Sequence, residues 1–416
     1  MWYTYSQTHD QVAVTFTIPA SLPPSARPFV KFGADTVHAT IGPHTIISGK
    51  LYARINPFES LWQIEGRRNS GGARVVTLHL EKETAIEWPV VVMEDDTGKL
   101  EIDPTSLYYL AGFLEAIDPA RALDLYERAA KAGHVPTMLK AAAFYEVGRE
   151  NAPAVPVAQD LAKSFALHQQ AATTTPVDDF NLDHVAEAHY ILATAYQSGH
   201  GAPANTDSAL AEFDHAIALA SQALGPRPTT PPTEPTLTST AAGGKPISLQ
   251  PPGPGKLRTI IVTSAFQAGL TCFQPPRSDF AKAREYWEVS AAYGHPQSAF
   301  NLGVLYLNAR GVDKDLNRAY ELMQQGVKLD PSGALALPPG LEEAVLGSGE
   351  TSEKSSSSSA AAAAAGEEKR KARRKRRSKR AASSGSSAGG WLLALSVVGV
   401  VGAAAVYYWR TSRNVA

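Results

Sequence analysis

Cysteine is almost missing from this chain. Cys272 is the only one in 416 residues, which excludes an intrachain disulfide and a Cys-based zinc site. No Asn-x-Ser/Thr acceptor occurs, and the first residues run straight into strand-like sequence without an apolar signal core. Net charge is missing too, with 39 basic residues against 40 acidic. That balance hides an asymmetry. Ten of the basic residues lie within 369–380, so the remainder stands at 29 against 40 and is acidic by 11. An acidic body argues against nucleic acid as a partner of the main surface. Together these absences fit a body that faces a reducing cytosol.

Catalytic constellations are also lacking. Gly243-Gly244-Lys245 is no phosphate-binding loop, because Ser239 stands where the first glycine of that motif is required. His184 and His189 are five apart, whereas a helix presents a ligand pair at three or four. His134 and His295 sit at repeat turns and read as capping or packing residues. Cys272 has no basic neighbours to lower its pKa and reads as a half-buried hydrophobe. The carboxylates are spread as on solvated helix faces. The chain is therefore expected to be no enzyme and to need no cofactor or metal.

What is present begins with strands. Val12, Val14, Phe16 and Ile18 alternate with polar or small residues, as do Val76, Leu78 and Leu80. A turn is expected at Pro23-Pro24 and another at Gly71-Gly72. About seven short strands over residues 1–93 imply a β-sandwich. The motifs run in order as Tyr3-x-Tyr5-x-Gln7, then VAVTFTIP over 12–19, then Ile46-Ile47-Ser48-Gly49-Lys50-Leu51. Ser60-Leu61-Trp62-Gln63-Ile64-Glu65, Leu78-His79-Leu80-Glu81-Lys82 and Trp88-Pro89 follow. This order resembles a CS domain, the p23-like fold, in its NudC-type branch. Three positions depart from that pattern: Tyr5 stands for Trp, Ser48 for Asp, and Pro89 for a second Trp. The resemblance implies a module that binds Hsp90 or folding clients without nucleotide, with Lys50, Glu65 and Lys82 as candidate partner-binding residues. Tyr5, Trp62 and Trp88 read as core.

Residues 94–103 (EDDTGKLEID) read as an acidic connector, after which the period becomes helical. Gly133-His134 closes one helix in the manner of a glycine C-cap. An internal repeat then appears, because Gly133-His134 and Gly294-His295 each stand twelve residues before a tyrosine, Tyr145 and Tyr306. The fullest copy runs Tyr286-Trp287-x3-Ala291-Ala292-x-Gly294-His295, Ala299-x2-Leu302-Gly303-x2-Tyr306, Arg310-Gly311-Val312. Leu192-Ala193-x2-Tyr196 with Gly201 makes a third copy. These resemble Sel1-like repeats, relatives of the tetratricopeptide array, and imply a protein-binding solenoid over 104–330. Helices are expected near 105–117, 119–132, 136–148, 158–173, 183–198, 206–224, 257–270, 279–293, 296–308 and 315–328, about five pairs. The Pro/Thr/Gly-rich stretch 225–255 is expected to be a disordered insertion.

From 331 to 390 the composition is that of a low-complexity linker, with a random-coil reach of roughly 40 Å. Within it lie Lys369, Arg370, Lys371, Arg373, Arg374, Lys375, Arg376, Arg377, Lys379 and Arg380. The block has three readings: a topology signal, a contact with anionic lipid, or a nuclear-localisation or RNA-binding tract. The adjoining apolar run and the lack of interleaved aromatics favour the first two. That run, 391–409, carries no charge and is long enough for a helix of roughly 28 Å, a bilayer core. Trp391 at one end and Tyr407, Tyr408 and Trp409 at the other suit the two membrane interfaces. Gly399 and Ala403 form one small-xxx-small pair. The expectation is a tail-anchored, single-pass membrane protein with a cytosolic head. Arg410 and Arg413 lean the choice to the mitochondrial outer membrane over the endoplasmic reticulum. The chain as a whole thus reads as multidomain: an all-β sandwich, an all-α solenoid, a disordered linker and one transmembrane helix. The function expected is that of a membrane-tethered co-chaperone or adaptor, or else an organelle-surface scaffold working through its repeats.

Overall fold

The computed structural model describes residues 3–18, 22–23, 25–65, 74–94, 100–148, 157–175, 177, 181–228 and 254–346. The two glycine- and proline-marked turns at 23–24 and 71–72, the 225–255 insertion, the basic block and the 391–409 run fall wholly or mainly outside these residues. Among the described residues no helix is long and apolar enough to cross a membrane.

Among the described residues eight strands build the N-terminal part: β1 (Tyr3–Gln7), β2 (Gln11–Ile18), β3 (Pro28–Phe32), β4 (Thr36–Ile41), β5 (His44–Leu51), β6 (Leu61–Glu65), β7 (Arg74–Glu81) and β8 (Val92–Met93). They form two antiparallel sheets, ordered β1-β2-β7-β6 and β3-β4-β5-β8. Strict alternation in β2 sends Val12, Val14, Phe16 and Ile18 inward, opposite Leu80, Leu78 and Val76 of β7. In β5 the register slips: Ala39 faces Ile47 and Thr40 faces Thr45, so Ile46 is the extra residue of a bulge. The bulge lets two consecutive residues, Ile46 and Ile47, both bury. Trp88 is buried as expected at 1% exposure, but Trp62 is 38% exposed. The correction has a simple cause: β6 is an edge strand, so Trp62 points inward opposite Leu78 yet has no further strand beside it.

Among the described residues ten helices follow: α1 (Pro104–Leu114), α2 (Pro119–Lys131), α3 (Val135–Val147), α4 (Leu161–Ala172), α5 (Leu182–Ser198), α6 (Thr206–Leu224), α7 (Pro254–Phe273), α8 (Phe280–Ala292), α9 (Pro296–Leu307) and α10 (Leu316–Leu329). Each packs on the next, as a solenoid requires. The second helix of each pair starts on a short polar cap. Asp118, Asp160, Asp279 and Asp315 accept from the backbone N–H three residues on, and Asn205 does the same for Ser208. Each such cap is worth about 1 kcal/mol. Gly133 and Gly294 close α2 and α8 at φ of 84° and 91°. There His134 and His295 turn their N–H groups back to Ala129 and Ser290. Close helix approach is visible at Gly303, where an added Cβ would lie 2.8 Å from the Ala319 carbonyl oxygen. Cys272 is fully buried, and burial pushes its thiol up to about 11, so it is a packing residue.

Two boundaries differ from the sequence reading. The described ends of the acidic connector are held to the body: Glu94 pairs with Arg121 and Arg128 of α2, while Ile102 and Asp103 are buried. One hydrophobic core runs from the sandwich through Ile102 into α1, α2 and α3. At the other end, residues 331–346 do not start as linker. Leu335, Leu337, Leu341 and Val345 pack with Phe300 and Met323, covering the outer face of the last helix pair. A terminal repeat needs such a cap because it has no neighbour to bury its apolar face.

Candidate interaction surface

The joint between sandwich and helices is built on Asp103. Its carboxylate caps α1 by accepting from Ser106 N at 2.9 Å, accepts the Ser106 hydroxyl at 2.6 Å, and takes Ser48 N at 2.9 Å. Burial raises its pKa, and these three donors work against that rise. Gly49 allows the approach, since a Cβ there would lie 2.4 Å from Val92 Cγ1. Tyr3 is joined to Ser106 by a 2.8 Å hydrogen bond, and the Tyr109 hydroxyl donates to Tyr3 O at 2.9 Å. Thus α1 closes the side of the sandwich between edge strands β1 and β8. Two of the three departures from the CS pattern fall on this joint: Ser48 meets Asp103, and Tyr5 meets Tyr109 edge-on at 5.3 Å. The third, Pro89, accepts from the Tyr5 hydroxyl at 2.8 Å.

A cleft of about 210 Å³ opens beside the joint. Tyr5 and Pro89 line it from the sandwich, Tyr108, Tyr109, Gly112 and Phe113 from α1, Tyr126 from α2 and Lys140 from α3. The α1 residues fall together because positions four apart share a helix face. Tyr126 donates to Glu115, and the Lys140 ammonium lies 3.7 Å from the same carboxylate. Burial raises the phenols of Tyr108, Tyr109 and Tyr126, so all three stay neutral. The cleft offers aromatic walls, one ammonium and one carboxylate already hydrogen-bonded. Such a set holds a ligand by contact and orientation, and it contains no activated nucleophile or poised base.

Deeper in the array the ionisable groups are tied to structure. Asp183 is 2% exposed and sits 2.9 Å from Lys256, which reaches Glu187 at the same distance. Burial pulls the Asp183 carboxyl up, but His184 and Lys256 outweigh it and hold it at about 2. This ion pair fastens α5 to α7. His295 caps α9 by accepting from Ser298 N at 3.2 Å. His134 is buried against the Tyr108 ring.

The opposite side of the sandwich is open. Phe58 is 98% exposed and Leu61 52%, and β6 pairs with β7 alone among the described residues. The three candidate partner residues lie apart in the fold. Lys50 is on β5 opposite Met93, whereas Glu65 ends β6 and accepts from Gln63 at 3.0 Å. Lys82 donates to Gln7 Oε1, Thr8 O and Ile86 O at 3.0, 2.9 and 2.8 Å, spending all three N–H bonds on its own domain. The aromatic cleft and Asp103 went unnoticed in the sequence. The only available signal was the density of tyrosines at 108–109 and an Asp before Pro104.

The family model of the CS domain matches residues 1–82, and that of the Sel1 repeat matches 106–134, 138–173, 186–211, 265–295 and 296–331. The matched stretches are thus similar to a CS domain in the sandwich and to Sel1 repeats in the helical array. Both are protein-interaction modules, and neither is an enzyme family. No curated protein matches the chain. Among solved structures it is similar to a Sel1 repeat protein from Oxalobacter formigenes, with 16% identity over 54% of this chain and 71% of that one, at a TM-score of 0.35. A nuclear movement protein from E. cuniculi is 18% identical over 22% of this chain and all of its own, at 0.19. YrrB, a TPR protein with an unusual peptide-binding site, is 13% identical over 56% and 89%, at 0.31. These scores carry no argument about mechanism.

Proposed function

We propose that this chain is a non-enzymatic adaptor that holds non-native protein segments on its CS domain and a second protein on its repeats. The observation that carries this reading is the asymmetry of the sandwich. One side is sealed by α1, while the other keeps Phe58 and Leu61 in solvent at edge strand β6, with the inward Trp62 only partly covered. An apolar patch on an edge strand fits an extended, incompletely folded chain, which supplies main-chain hydrogen bonds and apolar side chains together. Hsp90 is the chaperone partner that the CS resemblance brings to this proposal. The residues 391–409 would tether the body to a membrane, with the 369–380 block held cytosolic and near anionic lipid. The mitochondrial outer membrane is the first site to test.

The experiment is ATP-free suppression of aggregation of a heated client by the full chain, run beside binding to purified Hsp90. Phe58→Ser with Leu61→Ser should abolish the suppression and leave the fold intact. Suppression that survives this pair sinks the client reading. A second reading, a scaffold without chaperone activity, draws on the aromatic cleft. It predicts that Phe113→Ala with Lys140→Glu removes protein partners while Phe58→Ser does not. Alkaline extraction of membranes, with and without residues 391–409, tests the tether.

A further inference from the structure

The α5–α6 pair brings three metal-competent side chains together on one flank. His189 comes from α5. Glu212 and His215 come from α6, three residues apart and so on one helix face. One donor atom from each lies within 4.8 Å of the other two. His189 Nδ1 is 2.5 Å from Glu212 Oε2, and the two imidazole rings stand 5.0 Å apart at 53°. His189 and Glu212 are half-buried, and His215 is exposed.

An ordinary ion pair accounts for His189 and Glu212 but not for His215. Among the described residues no Lys or Arg pairs with Glu212, and the ring contact of His215 is with another imidazole. Each imidazole brings a ring nitrogen to the cluster and Glu212 brings a carboxylate oxygen, the donor types that transition ions take. The geometry points to a site for a divalent transition ion of the Zn²⁺ class, held by His189, Glu212 and His215. Bonds of about 2.0–2.1 Å put tetrahedral donors about 3.3 Å apart. Turning the exposed His215 side chain closes the remaining gap. Two nitrogens and one oxygen suit Zn²⁺, Co²⁺ or Ni²⁺ and disfavour Ca²⁺ and Mg²⁺, which take oxygen. Three protein ligands leave the fourth position to water or to a partner's side chain. The ion would clamp α5 to α6 along the middle of the third helix pair.

The test is titration of the full chain with Co²⁺, read by the visible bands of the tetrahedral ion, with Zn²⁺ competition to give stoichiometry. One equivalent is expected. His215→Ala and Glu212→Gln should each weaken binding at least tenfold, whereas His44→Ala, a control on the sandwich, should not. Zn²⁺ should raise the melting temperature of the native chain and not that of His215→Ala. His215 is exposed, so its removal leaves the fold standing, and Glu212→Gln gives an isosteric second check. No binding, or binding unchanged in both variants, overturns the site.

Discussion

The two long sides of the sandwich are treated in opposite ways. Between β1 and β8 the chain spends α1, a buried carboxylate and two tyrosines to exclude water. Between β6 and β3 no helix packs among the described residues, and large apolar side chains are exposed there. A surface sealed by the chain's own helix cannot serve a partner, and an apolar surface left open has a cost in solubility that function must offset. The difference also shows that sandwich and repeats are one mechanical unit, joined by a core and not by a tether.

The largest effect should come from removing the seal altogether. Residues 1–93 alone lose α1, and their melting midpoint is expected to fall by at least about 10 °C relative to the full chain. Equal midpoints in calorimetry would reduce the shared core to a mere contact. Next comes acid. Burial lowers the imidazoles of His168 and His295 to about 4, from an ordinary 6.5. The unfolded chain takes up those protons first, so their stability is whole above pH 6.5 and drains as pH falls toward 4. At pH 5 the loss is roughly 2 kcal/mol for each. Asp103 works in the other direction, because its folded carboxyl is raised and takes a proton more readily than the unfolded one. Hydrogen exchange between pH 6.5 and 4.5 should therefore open α4 and α9 before β1 and α1. The reverse order breaks the comparison.

Smaller effects sharpen it within the joint. Asp103→Ala removes a cap and strands the Ser48 N–H and the Ser106 hydroxyl, a cost of about 3 kcal/mol in urea unfolding. Asp103→Asn keeps an acceptor and should cost less than half of that. Tyr109→Phe loses one hydrogen bond to Tyr3 and should cost about 1 kcal/mol. Leu61→Ser, on the open side, should stay within about 0.5 kcal/mol.

Local signals made much of this fold legible. The alternation in β2 and β7 and the 3.6-residue stripes placed those two strands and the ten expected helices within a few residues of their ends, while about seven strands were expected and eight are described. Glycine followed by histidine marked helix ends because a left-handed residue there has few substitutes. The joint was not legible. Tyr3 and Ser106 are 103 residues apart, and no periodicity links them. Trp62 looked like core because its inward phase is right, while sheet order alone decides that its strand is an edge. The His189 site was hidden for a related reason. A reading of ligand spacing along one helix, such as His184 and His189, passes over a trio split between α5 and α6.

The separation between Tyr3 and its partner also sets a clock. A ribosome adding about 5–20 residues per second needs roughly 5–20 s to advance from Tyr3 to Ser106, 103 positions further on. The sandwich is complete only with β8 at Met93, so the first strand waits for its sheet partner β7 as well as for Ser106, and the helical seal follows the last strand by only a few residues.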